Sequence, residues 1–121
     1  MPLELELSRQ ILGIAFAVHN ELGPGLLERC YHEAFCLELG IAEIPYVSQK
    51  KYQVTYKGEK IGDYIADLVV NNKILLELKS AIELHQSMDY QILNYLRLSN
   101  WRVGYLINFH GPKVVWKRFV L

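Results

Sequence analysis

The amino-acid sequence predicts an α/β or α+β domain in which helices flank a mixed central sheet of about five strands. Three observations support this fold class. Residues 3–39 hold two stretches with apolar side chains at helical spacing, and residues 47–79 hold short strand-like stretches separated by turns. One more helical stretch then precedes two closing strands. The predicted order is α-α-β-β-β-α-β-β, in one domain that covers residues 1–121.

The first predicted helix covers residues 3–22 and ends at Gly23-Pro24. Its near-helical spacing is carried by Leu7, Ile11, Ile14, Val18 and Leu22. A second helix is expected over residues 26–39, opened by Gly25 and ended by Gly40 just beyond its last residue. The short glycine-rich link implies that the two helices pack as neighbours.

Strand patterns begin at Val47. The stretch from Tyr52 to Tyr56 alternates, Lys57-Gly58-Glu59 forms a turn, and Asn71-Asn72 marks another turn. The remaining predicted elements are strands over residues 61–70 and 74–79, a helix over 84–98 introduced by Ser80, and strands over 101–108 and 113–120.

The charge balance argues against a dedicated binder of duplex DNA. The chain has 13 basic and 13 acidic residues, whereas such binders usually carry a basic excess because neutralising phosphates supplies much of their affinity. This charge balance still allows a local basic rim, formed by Lys50, Lys51, Lys57 and Lys60. The alternative is that these lysines are solvated side chains of loops and an edge strand.

The sequence predicts a cytoplasmic protein that does not use a membrane. No apolar run approaches the roughly 20 residues that cross a bilayer. The N-terminus is acidic and lacks the basic flank of a signal peptide.

Three charges interrupt the apolar strands of the central hairpin: Asp67, Glu77 and Lys79. Charged side chains are rarely buried unless they are paired or bind a metal. Glu77 and Lys79 share a face because alternate residues of a strand point the same way. Asp67 joins that face if the connection has three residues, or if a bulge shifts the register; a two-residue turn places it on the opposite face.

If the faces agree, Asp67 and Glu77 are suited to hold Mg²⁺, or alternatively Mn²⁺, with waters and a substrate phosphate completing the shell. Such an ion polarises a phosphoryl oxygen and lowers the pKa of a bound water. Lys79 would orient that water or stabilise charge in the transition state. The competing interpretation is an ordinary carboxylate–lysine ion pair at a sheet edge.

Asp67 and the segment Glu77-Leu78-Lys79 resemble the motif of the PD-(D/E)xK nuclease-like superfamily, although Ala66 stands where that motif has proline. A second resemblance is more specific. Residues 25–31 read Gly-x-x-Glu-x-x-Tyr, the motif of the small GxxExxY proteins, and residues 91–96, 104–109 and 117–119 also look like that family. Together the resemblance implies a restriction-endonuclease-like core in which Asp67 and Glu77 hold magnesium beside Lys79.

Three further side chains are candidates for supporting this site. One role expected for Glu28 is a carboxylate that caps the start of its helix. The resemblance implies a different role, in which Glu28 lies beside the metal and is a third candidate ligand. Gln91 is expected at the centre of a buried helical stripe formed by Leu84, Met88, Tyr95 and Leu98. A buried amide needs hydrogen-bond partners, and a position beside Lys79 would supply them. Tyr31 is expected on the same helix face as Glu28. Its hydroxyl would either donate a hydrogen bond to a carboxylate or phosphate of the site, or belong to an ordinary core tyrosine.

Two functions of different classes follow from these residues. The first is a magnesium-dependent nuclease-like phosphodiesterase acting on DNA or RNA, with Asp67, Glu77 and Lys79 at its centre. The second is a non-cleaving nuclease-fold module that binds or assembles with protein partners, which the neutral charge favours. Apolar edge strands near the C-terminus also suggest a homodimer.

Overall fold

Three helices and five strands follow one another in the predicted order in the computed structural model, which describes residues 3–121. The helices are α1 (Leu5–Leu22), α2 (Glu28–Ile41) and α3 (Gln86–Ser99), and the strands are β1 (Tyr46–Tyr56), β2 (Glu59–Val70), β3 (Ile74–Lys79), β4 (Val103–Asn108) and β5 (Val115–Val120). The predicted fold class is confirmed: a mixed five-stranded sheet is flanked by helices.

The strands lie in sequence order, β1-β2-β3-β4-β5. Only β3 and β4 are parallel, and the other neighbouring pairs are antiparallel. Because a parallel pair needs a crossover connection, α3 lies between β3 and β4 in the chain. β1 and β5 are the two edges of the sheet.

The helices cover opposite faces of the sheet. Side chains of α1 and α2 form one buried cluster with Leu68, Leu76 and Leu78. Ile92 and Leu96 of α3 form a second cluster on the other face. The central strands β3 and β4 therefore have apolar residues on both sides, which explains why they read as nearly continuous apolar runs.

The second helix differs from the prediction at both ends. It begins at Glu28, because Gly25 has a φ of +83° and Leu27 is extended, so the link runs two residues past Gly25 before the helix starts. It ends at Ile41, with Gly40 inside the helix. The left-handed residue that turns the chain away is Glu43, with a φ of +57°.

None of the helices in residues 3–121 combines the length and the apolar character needed to cross a bilayer.

Candidate functional site

The candidate site lies where β2 and β3 separate. The connection between them has three residues, Asn71 to Lys73, and the register pairs Val70 with Ile74 and Leu68 with Leu76. Of the two connections considered from the sequence, the three-residue one is found. The next positions along this register are Asp67 and Glu77, which therefore lie across from each other.

The side chain of Asp67 is held in the gap between the two strands. The paired ladder stops at Leu68 and Leu76, and the backbone N–H of Leu78 donates to Oδ2 of Asp67 at 2.7 Å. The carboxylate thus replaces the backbone acceptor that a continued ladder would provide. This hydrogen bond fixes Asp67 beside β3.

Glu77 is a buried carboxyl group, only 7% exposed. Burial, followed by the charge and hydrogen bonding of nearby Asp67, raises its pKa from 4.5 to about 9. Lys79 lowers the pKa of Glu77, and Glu28 raises it. Its Oε1 atom is buried without a hydrogen-bond partner. Glu77 therefore holds a proton at neutral pH unless another positive charge replaces it.

Lys79 and Glu28 are the other charged side chains near Glu77. Lys79 is the last residue of β3 and is partly exposed, and no carboxylate of residues 3–121 pairs with it within 4.0 Å. Glu28 is the first residue of α2 and is exposed, where the helix dipole favours a negative charge. Both are close enough to act on the pKa of Glu77.

A cavity of about 390 Å³ opens beside Asp67, between α2 and the split strands. Its lining residues are Glu28, Arg29, His32, Glu33, Gln49, Asp67 and Leu78. Glu77 does not line it and lies behind Asp67. The cavity offers both carboxylates and hydrogen-bond donors. His32 contributes to this wall and contacts Oγ of Ser48 through Nε2 at 2.8 Å.

Tyr31 is a core residue. Its hydroxyl donates to the carbonyl of Gly23 at 2.6 Å and accepts from the N–H of Leu26 at 3.0 Å. Its ring is fully buried and stacks on Phe109 at 4.6 Å between centroids. Of the two roles considered from the sequence, Tyr31 therefore holds the α1–α2 link, and through that link it positions the start of α2.

The expectation that Gln91 is buried is wrong. Gln91 is exposed, and the buried residues of α3 are Ile92 and Leu96. Successive helical residues are 100° apart, so burying Ile92 turns Gln91 toward the flank. Leu84, one anchor of the expected stripe, precedes the helix. Gln91 lies one turn before Tyr95, whose pKa is raised first by burial and then by Glu77.

The structure adds an aromatic wall formed by Tyr52, Tyr64 and Tyr95. The rings of Tyr64 and Tyr95 stack with centroids 3.5 Å apart, and Tyr52 stacks on Tyr64 at 5.5 Å. Burial and then the charge of Glu77 raise the pKa of Tyr64, whose hydroxyl is buried without a partner. The wall closes the α3 side of Glu77. Nothing in the spacing of these tyrosines along the sequence signals that they lie close to Glu77.

The lysines considered as a basic rim surround the β1–β2 hairpin. Lys51 and Lys60 pair with Asp63 at 3.9 and 3.2 Å, and Lys50 lies over the ring of Tyr52. Because these ammonium groups are mostly exposed, their pairs contribute little to stability.

The donor set fits a hard divalent cation with two protein ligands. In residues 3–121, no three His, Cys, Asp or Glu side chains are arranged to hold a metal, so Glu28 is not brought into one ligand set with Asp67 and Glu77. Mg²⁺ is commonly held by one or two carboxylates with several waters. Asp67 and Glu77 meet that requirement, and the unpartnered Oε1 of Glu77 is available as a ligand atom.

Comparisons with known proteins agree with this geometry. A family model described as PD-(D/E)XK nuclease superfamily matches residues 5–119. The crystal structure of SSO0001 has a similar fold, with a TM-score of 0.59, 17% sequence identity and 97% of this chain covered. This chain spans 58% of the SSO0001 chain. No curated protein matches this sequence significantly.

Proposed function

Because the chain belongs to the PD-(D/E)XK nuclease superfamily, we propose that it hydrolyses phosphodiester bonds of DNA or RNA with Mg²⁺ or Mn²⁺ bound to Asp67 and Glu77. Nucleases of this superfamily generally depend on a divalent metal. The narrower assignment to the GxxExxY proteins stays a prediction. The observation that carries the proposal is the buried, unpartnered Oε1 of Glu77 beside a second carboxylate.

Burying the Glu77 carboxyl lowers the free energy of unfolding at neutral pH, and no contact within residues 3–121 offsets this loss. Ionising it leaves a buried charge next to the like charge of Asp67, and keeping it neutral requires a proton at neutral pH. A divalent cation removes the conflict, because it attracts both carboxylates and releases the proton. The arrangement is therefore better suited to binding a cation than to stabilising the sheet.

Each charged side chain has a role in this proposal. Asp67 is oriented by the Leu78 N–H, and Glu77 supplies the oxygen that has no other partner. When bound, the cation supplies Lewis-acid activation of the phosphoryl group and of a water. Lys79 donates to the attacking water or to the developing negative charge. Glu28 faces the cavity, as an acid near the start of α2.

The second candidate function is a non-cleaving module that binds a protein partner. It is favoured by exposed apolar residues on two adjacent loops: Leu27 is 71% exposed and Ile82 is 84% exposed. A hydrogen bond of 2.6 Å from Ser80 Oγ to the carbonyl of Leu26 joins these loops. The proposed homodimer would use β5, where Val115, Trp116 and Val120 are exposed at the sheet edge.

A nuclease assay separates the two functions. End-labelled single- and double-stranded DNA and RNA are incubated with Mg²⁺, Mn²⁺ or EDTA, using wild type, Asp67→Ala and Lys79→Ala. We expect metal-dependent cleavage that falls by about 100-fold or more in both variants. Lys73→Ala is the matched control, because Lys73 lies on the same hairpin and pairs only peripherally with Glu4 at 3.8 Å.

Cleavage that survives Lys79→Ala or EDTA would contradict the proposed mechanism. Calorimetry with Mg²⁺ and Mn²⁺ provides a readout that does not depend on activity. Absence of divalent binding at millimolar concentration, together with absence of cleavage, would favour the binding module.

A further inference from the structure

Gln49 has a backbone conformation that its place in the fold does not explain. Its φ is +53°, in the left-handed region, although it lies inside strand β1. The other non-glycine residues with positive φ in residues 3–121 lie in turns or at helix ends: Glu4, Glu43, Lys57, Asn71, Asn72 and Asn100. A side chain of this kind rarely adopts such a φ, and where it does the strain often marks a functional site.

The irregularity is shared with Asp67 on the neighbouring strand. The β1–β2 register pairs Ser48 with Leu68 and Lys50 with Ala66, so Gln49 and Asp67 lie opposite each other, and neither belongs to the paired ladder. The register is the same on both sides of this position, from Tyr46 to Val54, and shifts only beyond Val54. The distortion is therefore local to these two residues and is not a slip of the strands.

The two strands also change faces at this position. Ser48 faces α2, where it contacts His32, whereas Lys50 lies over Tyr52 on the α3 side. Similarly, Leu68 packs with α1 and α2, whereas Ala66 packs in the cluster of α3. In a regular strand, residues two apart share a face. The strained conformation of Gln49 thus rotates both strands around the point where Asp67 enters the site.

The result is that Gln49 lines the cavity beside Asp67 and Glu28. We propose that Gln49 contacts the nucleic-acid substrate, its carboxamide N–H donating a hydrogen bond to a non-bridging phosphate oxygen beside the metal-binding carboxylates. This inference rests on the proposed function. A phosphodiester repels the carboxylates that share the cavity wall, so neutral or cationic donors are needed there, and Gln49 provides one next to Asp67.

Gln49→Gly is the decisive variant, because it should relieve backbone strain and preserve stability while it removes the substrate contact and lowers activity. Glycine adopts positive φ without steric cost, so we expect the melting temperature to stay the same or rise. Removing the carboxamide should lower kcat/KM for oligonucleotide cleavage at least tenfold. It should also weaken oligonucleotide binding at least tenfold. Binding is measured with Ca²⁺ in place of Mg²⁺, in a separate experiment from the cleavage assay. Gln49→Asn, which keeps an amide and tolerates positive φ, should recover part of the loss.

Gln53 is a matched control, since it is the same residue type in the same strand, exposed and paired regularly with Asp63. Gln53→Gly should lower the melting temperature, because glycine weakens a regular strand, and should leave kcat/KM within twofold of wild type. Gln49→Gly with wild-type kcat/KM and binding would overturn the inference. So would a Gln49→Gly variant that loses as much stability as Gln53→Gly.

The failure of this inference is distinguishable from failure of the proposed function. If wild type does not cleave, the proposed function fails, and Gln49 is judged on oligonucleotide binding in Ca²⁺ alone. Binding that weakens in Gln49→Gly but not in Gln53→Gly supports a substrate contact. Equal binding by both variants and wild type rejects it.

Discussion

Replacing Glu77 by glutamine is expected to stabilise the protein while removing its divalent-cation site. The pKa of Glu77 is raised from 4.5 in its ordinary state to about 9 in the fold, chiefly by burial and then by Asp67. Because the folded pKa is the higher one, the folded state binds more protons than the unfolded state between these two values. Stability contributed by the protonated group is complete below pH 4.5 and is lost as the pH rises toward 9.

The size of the effect follows from this difference. Within that pH range the free energy of unfolding falls by about 1.4 kcal/mol for each pH unit on account of Glu77. At pH 7.5 the accumulated loss is about 4 kcal/mol. Glutamine has the same shape and carries no charge, and its amide can donate to Asp67, so Glu77→Gln avoids the loss. The variant should therefore exceed wild type by an amount that grows with pH.

The assay is denaturant unfolding of wild type and Glu77→Gln in EDTA at pH 5.5, 6.5, 7.5 and 8.5. Glu33→Gln is the control, because Glu33 is an exposed residue of the same cavity and should give a nearly constant difference. A difference between Glu77→Gln and wild type that does not change with pH would refute the reasoning. Added Mg²⁺ should then stabilise wild type and not Glu77→Gln, since only wild type has the carboxylate ligand.

Three other substitutions test the packing around the site by thermal and denaturant unfolding. Tyr31→Phe removes two hydrogen bonds to the α1–α2 link and should cost about 1–3 kcal/mol; an unchanged stability would mean that water replaces the hydroxyl. Gly104→Ala places a Cβ 3.1 Å from a side-chain carbon of Leu96 and should cost about 1–3 kcal/mol, whereas Gly62→Ala, where a Cβ meets nothing within 4 Å, is its control. Tyr64→Phe deletes a buried hydroxyl that lacks a partner and should raise stability by about 1 kcal/mol or more; a loss would show that the hydroxyl is bonded in solution.

Most of the fold was predictable because its signals are local. The helical spacing of apolar residues that ends before Gly23 predicts α1. The apolar run that follows the Asn71-Asn72 turn predicts β3, with the same ends as in the structure. The ends of α2 were not predictable from glycine positions. Glycine is permitted to be left-handed but is not required to be, and the turn is made by Glu43 while Gly40 remains helical.

The charged residues of the site were also found in the sequence, since Asp67, Glu77 and Lys79 interrupt apolar strands where packing alone would not place them. Periodicity failed for Gln91. Met88 and Tyr95 of the expected stripe do pack against the buried cluster, but the buried stripe is centred on Ile92 and Leu96, which leaves Gln91 at its edge. Which face of a helix is buried depends on the surface that it meets, and that surface is built from distant parts of the chain.

By itself, then, the sequence determined the order of the elements and the residues that carry charge into the central hairpin. The tertiary structure decided the choice between two registers, through a three-residue connection that puts Asp67 across from Glu77. It also decided the burial of Glu77, the stack of Tyr64 on Tyr95, and the strained turn of Gln49 into the cavity. Composition and spacing do not encode these features directly, because burial and pKa depend on contacts between strands and helices that are remote in the chain.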